Sequence, residues 1–135
     1  MVIDTSVLVA IALNEAGCDE LLAGMQTSVK KSVSAVSLLE SGIVLRAREG
    51  LPIIPELYGL VERLGLEVVS FDDAQARLAI AAFSRYGKGM GHRAQLNFGD
   101  CAVYASALSR GEPVLATGRD FAATDITVVP LKRKK

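Results

Sequence analysis

Four carboxylates stand where burial would favour apolar residues. Asp4 ends the run Met1-Val2-Ile3, Glu40 interrupts SLLESGIVL, Asp100 opens the apolar stretch CAVYASAL, and Asp120 follows VLAT. Carboxylates are rarely buried unless paired or bound to metal, because leaving water costs several kcal/mol when nothing compensates. Singly, each has an ordinary reading. Asp4 can cap a helix, Asp100 lies three residues after Asn97 where an acid suits the helix dipole, Asp120 can occupy a turn, and Glu40 can share an exposed stripe with Ser37 or Arg48. Together they say more: two directly follow apparent strands and two lie near the starts of helices, so all four can meet at one sheet edge. Clustered carboxylates repel, and a divalent cation with oxygen ligands is the simplest compensation. Mg²⁺ fits, with Mn²⁺ able to substitute. The sole histidine is His92, and Cys18 and Cys101 lack ligand-spaced partners, so zinc has little support.

A cation held this way suits phosphodiester hydrolysis, because it acidifies water and offsets charge on the phosphoryl oxygens. The candidate catalytic residues are therefore Asp4, Glu40, Asp100 and Asp120. Thr5, Ser6 and Thr117 adjoin these acids and can orient them through hydrogen bonds, or simply cap helix starts.

The elements that must position these groups alternate. MVI reads as a strand, followed after Asp4-Thr5-Ser6 by the helix VLVAIAL; DELLAGM over 19–25 is a short helix, and KSVSA around Val33 a second strand. Leu39, Ile43 and Arg46 fall at helical spacing in the segment from Val36 to Glu49, which Gly50 and Pro52 terminate. A helix follows over 55–64, then a strand over 67–71. Asp72 or Asp73 caps a helix whose apolar stripe is Ala76, Ala79, Ile80 and Phe83. The glycine-rich loop 87–96 must be mobile or pinned by a partner. Asn97 caps the helix FGDCAVYASALSR, strand 114–116 follows, TGRDF turns, and 126–129 forms a last strand. Strands apolar on both faces, alternating with helices, predict an α/β protein: one α/β/α domain with a central, mainly parallel sheet. Ligands in such sheets bind beyond the carboxyl ends of the strands, where strand order reverses.

The 135 residues, 50% hydrophobic, suffice for one core and not two, so residues 1–131 read as one domain and 132–135 as a short basic tail. No apolar run approaches the roughly 20 residues of a membrane span, and no secretory signal is recognisable, so a cytoplasmic protein is expected. The two cysteines, in apolar surroundings, read as core residues of a protein in a reducing compartment. Fifteen basic residues balance fifteen acidic ones, but four of the basic ones are Lys132, Arg133, Lys134 and Lys135, leaving 11 against 15 and a body of about −4. That tail can contact a phosphate backbone or merely aid solubility.

VIDTS at the start, the central LLES, LNFGDCAVYASAL and LATGRDFAATDI resemble, in order and spacing, the successive acidic motifs of PIN-domain VapC toxins, and RYGKG with LNFGD resembles one branch of them. The resemblance covers nearly the whole chain. It implies a PIN-like α/β/α fold, Mg²⁺-dependent cleavage of RNA, with tRNA or rRNA as the expected substrate, frequent homodimerisation, and neutralisation by a VapB-type antitoxin whose C-terminal segment covers the acidic site. Asp4, Glu40 and Asp100 match the family's three principal acids, and the resemblance implies that they are the metal ligands. The fourth position departs from the pattern, because Arg119 stands where the family often has an acid or amide and Asp120 is the nearest candidate. Arg46, Arg85, Lys88, His92, Arg93 and Arg119 are candidate RNA-backbone contacts, and Arg46 and Arg48 can equally line an antitoxin or dimer surface. With four Phe, three Tyr and no Trp, extensive base stacking is not expected.

Two other readings compete. A catalytically silent PIN-fold module that binds RNA or a partner is suggested by Arg119 in the fourth motif. A phospho-acceptor domain would also place an aspartate at a strand end, but would normally need a nearby lysine, and none occurs between Lys31 and Lys88.

Overall fold

Asp4 accepts a hydrogen bond from the Ser6 backbone N–H, which stops the first strand and starts the first helix at one residue. The computed structural model describes residues 1–132, so Arg133, Lys134 and Lys135 of the basic tail lie outside the described residues. Its elements run β1 (Val2–Ile3), α1 (Thr5–Ala12), α2 (Cys18–Met25), β2 (Lys31–Ser34), α3 (Ala35–Glu49), α4 (Ile53–Arg63), β3 (Leu66–Val69), α5 (Asp73–Tyr86), α6 (Phe98–Arg110) and β4 (Val114–Leu115). Side-chain caps recur at the helix starts: Ser34 opens α3, Asp72 opens α5, and Asn97 opens α6 in a capping box with Asp100. Gly111 ends α6 at a φ of 63°, a left-handed conformation that costs glycine nothing.

The four strands are parallel, in the order β3-β2-β1-β4. The chain leaves β1 toward β2 and returns on the other side as β4, so the order reverses at β1 and Asp4 sits at that switch point. Alternation along the strands feeds two cores. Met1, Ile3 and Leu115 face one core with α1, α2, α3 and α4, while Val2, Val114 and Ala116 face another with α5 and α6. Helices therefore cover both faces of a parallel sheet, as the alternation of elements predicts.

Several expectations need correction. The stripe on α3 is inverted: Leu39 and Ile43 are exposed, and Ser37, Leu38, Ser41 and Leu45 are inside. Small serines let α3 lie close to α1, where the Thr5 hydroxyl donates to the Ser37 carbonyl at 3.3 Å. On α5, Ile80 is exposed and Phe83 is borderline, while Gln75, Ala82 and Tyr86 are buried. The expected last strand is reduced to one parallel bridge, Val128 to Val114. The glycine-rich loop is pinned by its own residues. Lys88 N–H donates to Leu96 O, Leu96 N–H donates to Tyr86 O, Ala94 N–H donates to His92 Nδ1, and the His92 ring meets Tyr86 edge-on at 4.8 Å.

Phe121, fully buried in the second core, anchors the segment that carries Asp120. Phe121→Ala is expected to cost about 3–5 kcal/mol, read as a lower urea midpoint.

Candidate functional site

Asp4 holds the centre of the sheet edge. Its Oδ2 accepts from Ser6 Oγ at 2.6 Å and from Ser6 N at 3.1 Å, and Ser6 Oγ in turn accepts from Thr117 N–H at 3.1 Å. One hydroxyl thus ties the end of β1 to the segment after β4. Asp100 is the third residue of α6, where its Oδ2 accepts from Asn97 N–H at 3.0 Å. Oδ1 of Asp4 and Oδ1 of Asp100 accept no hydrogen bond among the described residues. Glu40, half-buried in the second turn of α3, lays its carboxylate against Gly99 of α6. Asp120 is exposed and folds back toward Gly118.

The four acids feel one another. Burial pushes the Asp4 carboxyl up; bonds from Ser6 oppose this, and the charges of Glu40 and Asp120 add to it. Burial likewise raises Asp100 from 3.8 to about 6, against the Asn97 N–H and with the charges of Asp120, Asp4 and Glu40. Among the described residues no basic side chain forms an ion pair with any of the four. Nor, among the described residues, do any three His, Cys, Asp or Glu side chains stand drawn together as a group ready to hold a metal ion. As a donor set the site is all oxygen and electrostatically uncompensated, which suits a hard divalent cation better than any softer metal.

The neighbouring hydroxyls divide. Ser6 touches Asp4; Thr5 points to Ser37 instead; Thr117 contributes its backbone N–H. Of the basic candidates, Arg85 pairs with Asp125 at 3.8 Å and lies over the Tyr86 ring, while Arg46 lines an apolar groove between α3 and α4. Lys88, Arg93 and Arg119 are exposed, and His92 is half-buried and turned into its own loop. Cys18 and Cys101 are both buried, and the Cys101 thiol is pushed up by burial and by Asp100, which leaves it a poor nucleophile. Gly99 escapes the sequence reading. A glycine inside the first turn of a well-capped helix is the signal that could have found it.

Residues 1–126 match the PIN domain family. Ribonuclease VapC42 of Mycobacterium tuberculosis is 40% identical over 130 residues, covering 93% of this chain and 96% of its own. The chain belongs to the PIN-domain VapC family. A second relative, ribonuclease VapC30 of the same organism, is 41% identical over 131 residues, covering 97% and 99% of the two chains. The PIN fold also aligns with crystalline Mycobacterium tuberculosis VapC20, a sarcin-ricin-loop-cleaving toxin, at a TM-score of 0.77 with 19% identity over 96% of this chain and 98% of that one. It aligns with FitAcB from Neisseria gonorrhoeae at a TM-score of 0.71, with 20% identity and 96% of each chain covered.

Proposed function

We propose that this PIN domain is an Mg²⁺-dependent endoribonuclease, the toxin of a type II toxin–antitoxin pair. The observation that carries the reading is the set of four carboxylates at the switch point, within one another's field and, among the described residues, without an ion-paired basic side chain. Relatives covering nearly the whole chain and named ribonucleases support it. Asp4, Glu40 and Asp100 would hold the ion, Mn²⁺ being able to replace Mg²⁺, and Asp120 would complete the acidic rim. When bound, the ion supplies acidification of a water and positive charge toward the phosphoryl oxygens. The chain's own contribution is orientation. Ser6 fixes the Asp4 carboxylate through Oδ2, the α6 cap fixes Asp100 through Oδ2, and among the described residues neither Oδ1 accepts a hydrogen bond. Exposed Lys88, Arg93 and Arg119 are the side chains best disposed to meet an RNA backbone.

Partners are supported by apolar surface. Leu39, Ile43, Tyr58 and Val68 stand exposed around the α3–α4 groove, and Phe98 is exposed one residue from Gly99. Uncovered apolar side chains of this kind mark partner surfaces. Leu39 is next to Glu40 in sequence and Phe98 is two residues before Asp100, so a VapB-type antitoxin segment crossing the site would cover them, and a homodimer would use further surface. No helix among the described residues is long and apolar enough to cross a membrane. A silent partner-binding module is the reading that Arg119 beside Asp120 favours, and it predicts no Mn²⁺ binding.

The test is cleavage of tRNA and rRNA by purified protein. Products are expected with Mg²⁺ or Mn²⁺, none after chelation, and none from folded Asp4→Asn. Intact RNA under every metal condition would sink the nuclease reading.

A further inference from the structure

Glycine is the costliest helix residue after proline, about 1 kcal/mol worse than alanine in a helix interior. Gly99 nevertheless occupies the first turn of α6, buried, immediately before Asp100. Its backbone does not demand glycine, since it is absent from the positions with positive φ. What demands it is space. A Cβ at Gly99 would lie 2.7 Å from both Oε1 and Oε2 of Glu40 and 3.0 Å from its Cδ, distances that real Cβ atoms do not tolerate. The Glu40 carboxylate therefore rests against the bare Cα of Gly99, and its charge is felt by Asp100.

We propose that Gly99 is a positioning residue: its lack of a side chain sets the separation of the Glu40 and Asp100 carboxylates. The inference rests on the nuclease reading for its consequence, though not for its geometry. The three nearest atoms that a methyl group would meet all belong to the end of one flexible side chain, so Gly99→Ala should shift Glu40 and leave the fold intact. Alanine is also the better helix former, and metal-free Gly99→Ala should unfold at the same temperature as wild type or a higher one.

Four proteins decide the matter: wild type, Gly99→Ala, Glu40→Asp and the double variant, each followed by Mn²⁺ calorimetry and thermal unfolding. Gly99→Ala is expected to weaken Mn²⁺ binding by about tenfold or more, the usual size of effect when a residue that orients a ligand is changed. Glu40→Asp withdraws the carboxylate by one methylene and clears the methyl group, so adding Gly99→Ala in that background should cost less than about threefold further. Wild-type affinity in Gly99→Ala, or an equal loss in both backgrounds, overturns the proposal. A metal-free arm separates it from the nuclease reading. The set of nuclear Overhauser contacts from the Glu40 side chain to its neighbours around Asp100 should change between wild type and Gly99→Ala, and an unchanged set overturns the proposal too. If wild type binds no Mn²⁺, the nuclease reading fails and this arm alone decides the role of Gly99.

Discussion

Asp100→Asn is expected to abolish RNA cleavage while making the metal-free protein harder to unfold. The two effects have one cause. Asp100 is 8% exposed and sits in the field of three other carboxylates, so its charge is costly in the metal-free fold and useful only against a cation. An amide retains an oxygen to accept from Asn97 N–H, so the cap of α6 survives the change. A site that relies on a metal ion for several kcal/mol of transition-state stabilisation should lose at least about 10³-fold in rate when a ligand is neutralised, since each 1.4 kcal/mol is tenfold. The unfolding midpoint without metal should rise by on the order of 3 °C, corresponding to roughly 1 kcal/mol of relieved repulsion in a domain of this size. Initial rates on RNA with Mg²⁺ and calorimetric unfolding without it check both. Activity and stability falling together would instead mean that the cap, and not the charge, is what Asp100 contributes.

Acid should stabilise the metal-free protein and disarm the loaded one. The Asp100 carboxyl moves from 3.8 in the unfolded chain to about 6 in the fold, and Asp4 moves in the same direction. A carboxyl raised on folding binds more protons in the native state between those values, so stability falls as pH rises through about 4 to 6 and stays lower above. Asp125, held low first of all by the bond from Tyr104, acts in the opposite sense, but its contribution is already complete by pH 5. The unfolding midpoint without metal should therefore be higher at pH 5 than at pH 8. Metal binding needs the ionised carboxylates, so the rise in midpoint on adding Mn²⁺ should be larger at pH 8 than at pH 5. A metal-induced rise of equal size at both values would place the ion elsewhere.

How far the sequence discloses this arrangement depends on the range of the interactions involved. Asp4 and Asn97 are legible because capping is chemistry among neighbours, and the alternation of apolar strands and helices reports layers that bury both faces of a sheet. Asp4, Glu40 and Asp100 are legible because each breaks an apolar run, whereas Asp120, exposed and preceded by Gly118 and Arg119, is marked only by its place after a strand. The orientation of α3 is not, because it carries two interleaved stripes. The more apolar stripe, with Leu39 and Ile43, faces outward, and the one containing Ser37 and Ser41 turns inward because its small side chains permit close approach to α1. Thr5 is misassigned for the same reason, since its partner is 32 positions away. Gly99 is invisible for a further reason: its meaning lies in the reach of a side chain on another helix.

The bond between Ser6 and Thr117 closes a span of 111 positions, and β1 has β4 as a neighbour on one side. Contacts of such separation form late, after most of the chain entropy has been surrendered. A ribosome that has made the chain only through α5 has released Asp4 and Glu40 but neither Asp100 nor Asp120, and the strand that flanks Asp4 is still unmade. The acidic edge is thus assembled only once α6, β4 and the segment after them have been made, and no translation intermediate that stops before them carries it.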